Sequence, residues 1–405
     1  MKNRRVQTRA RVFFMEMDKD HLFVGRDNNP PIVEIAKASG STFWDSSGKK
    51  FIDFAMGWCV QNIGYNDLHI MQELSKFNGP NYVMPPYYFD KWVELAQLLA
   101  EIAPGNLKKS FRVPSGSEAV EVALQAAMAV TGRNRFVSVE GAYHGHTMGA
   151  FSVGDSAFRK MFPKNTLLET SKVSAPLSEK TAKEAEKLLK TEKFAAFIAE
   201  PIVMNLGVEI PSKEFWGIVS DACRDTGTLL IADEVASGFG RTGKMFAGEH
   251  YGLKPDIMCM AKGMSSGYGA IGAAIMTPSI AKEVEEKLWT YSTFGWTPYN
   301  TLAAIANIRH IIENKLVEGA ARMEKVFAKE IANTQFKEKP EIRMKGLAIG
   351  LRFRTPEYRQ SVVSKARENG LVLATNDNKT ILMFPALDIS ENEIAEGFEA
   401  LRKGA

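Results

Sequence analysis

Cysteine is scarce in this chain. Only Cys59, Cys223 and Cys259 occur among 405 residues. So few, so scattered, cannot form a disulfide framework, and their spacing is not that of metal ligands. A reducing, cytoplasmic setting is therefore expected. Long apolar runs are missing as well: none approaches the roughly 20 residues that a membrane-spanning helix needs. Charge of one sign is not in excess. Lys and Arg number 51 against 47 Asp and Glu, a net +4 spread along the chain. Nucleic-acid and membrane-surface binders need clustered basic residues, so neither partner is expected. Low-complexity segments and internal repeats are also lacking. The first 14 residues, MKNRRVQTRARVFF, are basic but lack the apolar stretch of a secretory signal. With Glu16, Asp18 and Asp20 following at once, this segment reads as a flexible or docking arm.

What is present is an ordinary globular composition, 45% hydrophobic and 24% charged. The length suits two domains, or one large domain with an appendage. Short apolar runs at 136–139, 194–199, 229–232 and 271–276 alternate with helical stretches such as 118–130 and 180–190. Continuous apolar runs between helices are the pattern of strands buried on both faces, which predicts an α/β layer with helices on both sides. The ends differ. Residues 42–54 read as a hairpin with a Ser-Gly turn. A long helix is expected from about 305 through Ile308, Ile311, Ile312 and Leu316, then strands at 347–353 and 380–384 and a closing helix at 391–401. The predicted organisation is a large central domain, 56–304, with a smaller domain built from 1–55 and 305–405.

Three signals carry chemistry. Ser115, Gly116 and Ser117 precede Glu118 at the start of a helix, and free N–H groups there favour an anion. Alone, such a pattern is most often a plain cap. Asp233 ends the apolar run 229–232, at the strand end where open α/β sheets bind ligands. Its plain alternative is an ion pair at a strand-end turn. Lys262 lies 29 positions later among Cys259, Met260, Ala261 and Met264, a poor setting for a solvated amine. A partly buried lysine can form Schiff bases. Together, an anion site, an acid at a strand end and a semi-buried lysine are what pyridoxal phosphate requires.

From about Pro31 to Leu401 the chain resembles the class III aminotransferases, the ω-aminotransferase group of pyridoxal-phosphate fold type I. The matching stretches are SGSEAVEVAL at 115–124, GAYHGHT at 141–147, AEP at 199–201, IADEVASGFGRTGKMFAGEHYGLKPDI at 231–257 and AKG at 261–263. The resemblance implies a large mixed, mostly parallel sheet plus a smaller α+β domain from both termini. It implies pyridoxal 5'-phosphate carried on Lys262 as a Schiff base and Lys262 as the proton shuttle. Asp233 would pair with the pyridine nitrogen, and Ser115, Gly116 and Ser117 would hold the phosphate. Tyr143 would stack on one ring face and Val235 on the other. Glu200 would orient Asp233 or the ring substituents, with His144 behind them. Thr293 would reach the phosphate of a neighbouring subunit, which implies a homodimer with active sites at the interface.

The substrate positions are less uniform. Trp58 and Cys59 resemble the pocket segment of amine:pyruvate ω-transaminases, and Tyr87, Tyr88 and Phe89 could line that pocket from the partner chain. Tyr143 would border it. The Gln-Gly-Glu of acetylornithine and 4-aminobutyrate enzymes is absent after Glu200, where Ile202, Val203 and Met204 stand instead. No arginine occurs near Ala374 or Thr375, where many members pair with the substrate carboxylate. Trp296 replaces a usual glycine and is expected to narrow the site or press on the partner subunit. Arg241 reads as structural. The leading expectation is an amine or ω-amino donor with pyruvate or a similar keto acid as acceptor. A racemase, epimerase or aminomutase of the same family is the alternative, and a non-catalytic scaffold a third.

Overall fold

The computed structural model describes residues 33–84, 86–163, 167–289 and 291–405. The N-terminal arm expected at the start of the chain lies outside them. At the N-terminal end, β1 (Ile35–Ser39), β2 (Thr42–Asp45) and β3 (Lys50–Asp53) form an antiparallel ladder. The β2–β3 turn is the one read from the sequence. Asp45 closes it by accepting from the Ser47 and Lys49 N–H groups, both at 2.9 Å.

The central sheet contains β4 (Lys109–Val113), β5 (Arg135–Val139), β6 (Thr170–Val173), β7 (Phe194–Ala199), β8 (Leu229–Asp233), β9 (Ile257–Met260) and β10 (Gly272–Met276). Their order is β4-β10-β9-β8-β7-β5-β6. β10 is antiparallel to both of its neighbours, and the other pairings are parallel. The two-residue period sorts side chains between the faces. Val137, Phe197 and Leu230 pack with the helices Glu179–Leu189 and Lys213–Thr226. Phe136, Ile198, Ile231 and Cys259 pack with the helix Gly116–Thr131 on the other side. Both faces are therefore dry, which is why these strands read as unbroken apolar runs.

The last part of the chain supplies β11 (Glu341–Lys345), β12 (Ala348–Arg352), β13 (Leu371–Val372) and β14 (Thr380–Met383). β13 pairs in parallel with β3, so the two ends of the chain share one sheet. β11, β12 and β14 make a separate antiparallel sheet. The expected helix from 305 differs in detail. It starts at Pro298 and ends at Glu313, so the boundary read at 304/305 falls inside it. Lys315 then adopts a left-handed φ of 52°, and a second helix, Leu316–Asn333, begins. Apolar spacing runs through this break, which hid it from the sequence pattern. β4, β6 and β9 were not singled out either; β4 and β6 are short and only partly buried.

Arg241 ties these parts together. Its side chain is fully buried. Nη2 donates to Asn62 Oδ1 at 2.8 Å, and Nη1 donates to Leu347 O at 3.1 Å and to Pro385 O. One guanidinium thus bridges the segment after β3, the start of β12 and the segment after β14. The fork geometry of arginine allows this, whereas a lysine ammonium is a point donor on a flexible stem. Arg241→Met strands these acceptors and is expected to cost about 2–4 kcal/mol. Arg241→Lys should recover less than half of that. Denaturant unfolding of the three proteins measures both; a loss below about 1 kcal/mol for Arg241→Met would mean the acceptors are satisfied elsewhere.

Candidate active site

β4 runs the same way as β9, since both are antiparallel to β10. The carboxyl ends of β4, β5, β7, β8 and β9 therefore open on one edge of the sheet, and the candidate residues come from there. Ser115 follows β4, Tyr143 and His144 follow β5, Glu200 follows β7, Asp233 ends β8 and Lys262 follows β9.

Asp233 is only 2% exposed. A buried carboxylate has to be hydrogen-bonded. One oxygen accepts the Val235 N–H at 3.0 Å, and the other accepts His144 Nδ1 at 2.6 Å. The partner fixing Asp233 is thus His144. Glu200 is bonded elsewhere: its Oε2 accepts the Met204 N–H at 3.1 Å. Burial, with Asp233 adding repulsion, pushes the Glu200 carboxyl up to about 8. Two buried polar atoms here lack partners among the described residues: Glu200 Oε1 and His144 Nε2.

Helix Gly116–Thr131 starts against this group. Ser115 Oγ accepts the Glu118 N–H at 3.3 Å. The first N–H groups of a helix have no partner within it, so they face outward as donors. A Cβ on Gly116 would stand 2.8 Å from Val235 Cγ1 and 3.5 Å from Ala261 Cβ, so no side chain fits there. Gly145 lies equally close to Ser117, whose Oγ a Cβ would meet at 2.4 Å, in a left-handed backbone with φ 119°. These contacts bring the cap, the Tyr143 loop, Val235 and the lysine turn to one place.

Lys262 is half-buried and has a left-handed φ of 40°. Burial raises the Glu200 carboxyl and the Cys59 thiol, and the Lys262 charge opposes part of that rise in each. Two residues that the sequence reading passed over hold its turn. Asn307 Nδ2 donates to Gly263 O at 2.8 Å and Met264 O at 3.0 Å. Asn62 packs so closely that a Cβ on Gly263 would meet its Nδ2 at 2.5 Å. Glu234, buried and bonded away from that turn, accepts from Ser237 Oγ and from the Ala247 and Gly248 N–H groups. Burial pushes its carboxyl to about 7. A buried asparagine on an otherwise apolar helix face was the one available sequence signal, at Asn307.

Trp58 is half-buried beside an apolar cluster of Cys59, Ile202, Met204, Ala374, Leu382 and Phe384, its ring 5.7 Å from that of Phe384. Tyr143 is 42% exposed at the rim. Tyr88, 76% exposed, and Thr293, also exposed, lie on the outside of this chain. Phe89 packs on Trp92, ring centroids 5.8 Å apart. Trp296 does not do what was expected of it. It turns inward, is 1% exposed and donates from Nε1 to Gly272 O at 2.7 Å, filling core rather than narrowing the site.

The residues suit pyridoxal phosphate. Outward N–H groups and a glycine-only floor match a phosphate, a buried carboxylate matches a protonated ring nitrogen, and an amine stands beside both. Glu200 Oε1 and His144 Nε2 remain for polar groups of a bound molecule. Among the described residues, no group of His, Cys, Asp and Glu could hold a metal ion and no helix is long and apolar enough to cross a membrane.

Comparison with known proteins shows the family. The class III aminotransferase family model matches residues 23–404. An acetylornithine aminotransferase of Archaeoglobus fulgidus is 34% identical over 391 residues, 96% of this chain and 99% of that protein. A putrescine aminotransferase of Pectobacterium atrosepticum is 32% identical, covering 89% of this chain and 79% of that one. Among solved structures, an S-selective transaminase from Arthrobacter sp. with alanine bound superposes with a TM-score of 0.88 at 25% identity, over 96% of each chain. An omega transaminase from Pseudomonas jessenii in complex with PMP shares the fold, with a TM-score of 0.87 at 24% identity over 96% of this chain and 97% of that one. The chain belongs to the class III aminotransferases, pyridoxal-phosphate-dependent enzymes of fold type I.

Proposed function

We propose that this aminotransferase takes its amino group from a primary amine or ω-amino compound with an apolar body and passes it to a keto acid such as pyruvate. The observation that carries this reading is the apolar cluster around Trp58, Met204, Ala374 and Phe384 beside Glu200. Such a wall accepts hydrocarbon and offers nothing to a carboxylate. The arginines nearby are engaged: Arg241 with Asn62, Leu347 and Pro385, Arg343 with Glu209 and Glu341, and Arg352 with Asp377. That separates this chain from what an acidic amino donor needs. The transaminase relatives give no support to the racemase or aminomutase alternative.

When bound, pyridoxal phosphate supplies the aldehyde that accepts the amino group and a ring that withdraws electrons. The chain supplies the rest. Ser115, Gly116 and Ser117 hold the phosphate. Asp233, kept in place by His144, stabilises a proton on the ring nitrogen. Tyr143 and Val235 would confine the ring. Glu200 Oε1 meets a polar substituent. Lys262 Nζ removes the proton from the donor carbon and returns it as a general acid. Alternation of donor and acceptor at one site gives ping-pong kinetics.

Thr293 and Tyr88 serve the site of a second copy in this reading. Supporting it are large exposed aromatics at or next to these positions: Tyr87 at 65%, Tyr88 at 76% and Phe294 at 63%. The three free cysteines, all buried, suit a reducing cytoplasm.

An aryl-alkyl amine added to the cofactor-loaded enzyme, without keto acid, should give one equivalent of ketone together with the absorbance change of the aminated cofactor. No carbonyl product from any primary amine would overturn the donor assignment. Lys262→Ala should lower this half-reaction roughly a thousandfold or more, read as the rate of ketone release.

Glu200 gives a pH prediction. Its folded pKa of about 8 lies above the ordinary 4.5, so between those values the folded protein holds a proton that the unfolded chain has lost. Stability from this group is fully present below 4.5 and is lost as pH rises through 8. Glu200→Gln, which cannot ionise, should flatten the fall in thermal stability between pH 5 and about 8 relative to the parent. Parallel curves for the two proteins would refute the shift.

A further inference from the structure

Two asparagine side chains border the apolar cluster, and neither has a part in the chemistry above. Asn205 follows Met204 in the turn Met204–Leu206, and its Nδ2 donates to Gly141 O at 2.8 Å, two residues before Tyr143. Asn376 comes two residues after Ala374, and its Nδ2 donates to the backbone oxygen of Asn205. The C-terminal segment is thereby latched to the loop that carries Tyr143. Because the amide nitrogen faces a carbonyl, the orientation of the Asn376 amide is fixed by its partner. The remaining atom, Oδ1, is buried and without a hydrogen-bond partner among the described residues.

Asn376 Oδ1, on the side of Ala374, is therefore a free acceptor beside this cluster. Among the charged neighbours of Asn376, Asp377 is engaged by Arg352 and Thr380 and Glu209 by Arg343, while Arg359 donates to Asp377 O and keeps its buried Nε without a partner among the described residues. A buried acceptor left unmatched costs free energy unless a ligand supplies the donor. A carboxylate cannot, since it only accepts.

We propose that Asn376 is a specificity-determining residue whose Oδ1 accepts a hydrogen bond from the far end of the amino donor. The substrate class is an alkylamine carrying a second amino group or a hydroxyl at its other end. This inference rests on the amine-donor reading of the same site and narrows it. The far group stays intact in the reaction, and only the amine at Lys262 is transferred.

The experiment compares kcat/KM of the holoenzyme for isosteric pairs of three to six carbons, such as 1,5-diaminopentane or 5-amino-1-pentanol against hexylamine, and includes 6-aminohexanoate. The parent enzyme should favour the donor-bearing member roughly tenfold or more at its best chain length, through KM rather than kcat, and should disfavour the carboxylate. Asn376→Leu should bring the ratio towards one, with the change in the KM of the diamine. Asn376→Asp keeps size and acceptor, gives up the Nδ2 donor to Asn205 O and adds charge. It should sharpen the preference for the diamine, and it serves if the leucine variant does not fold. Equal constants within each pair in the parent enzyme, or a ratio unmoved by both variants, would overturn the assignment to Asn376 while leaving the amine-donor reading intact. Turnover of none of these amines would overturn both.

Discussion

The hydrogen bond between His144 and Asp233 is the contact around which the site is arranged. It joins the loop after β5 to the end of β8, and it lets a carboxylate remain buried at the edge of a dry sheet. Glu200 and Glu234 are buried in the same region, and each feels the charge of Asp233. Three carboxyl groups share one water-poor volume, where burial favours the protonated forms of Glu200 and Glu234 and Lys262 is a nearby cation. The packing of Gly116 on Val235 and of Gly145 on Ser117 keeps the helix start against this group.

The lysine itself depends on a second set of contacts. A left-handed residue at the end of a strand is strained, and the strain is held by Asn307 and Asn62 at the next turn. Asn62 also receives Arg241, which reaches the sheet formed by the C-terminal part of the chain. The reactive turn and the association of the two ends of the protein are thus linked through one asparagine. Domain packing and catalytic geometry share that residue, so neither is adjusted alone.

Much of the chemistry was legible because it lies next to strong local signals. Asp233 ends an apolar run, Ser115 opens a helix, and Lys262 stands among apolar neighbours. The order and spacing of those signals pointed to one cofactor. The residues that support them were not legible. Asn62, Asn307, Asn205 and Asn376 are polar residues in unremarkable local settings, and they act only through partners 43 to 179 positions away. Trp296 was misread for the same reason: its neighbours in sequence suggested the site, but its indole is buried against Gly272.

Sequence by itself determined which segments become buried strands, because period and apolar content are local properties of the chain. It also determined which chemical groups are available, since a lysine, a carboxylate and a helix start cannot be supplied by folding. The tertiary structure alone decided which of these groups meet. A parallel sheet brings the carboxyl ends of non-adjacent strands to one edge, and the order β9-β8-β7-β5 is set by long-range pairing. It also decided the makeup of the apolar cluster, where Trp58, Met204, Ala374 and Phe384 come from distant segments. Burial and the orientation of unpaired acceptors arise only when those segments pack, so no window of the sequence contains them.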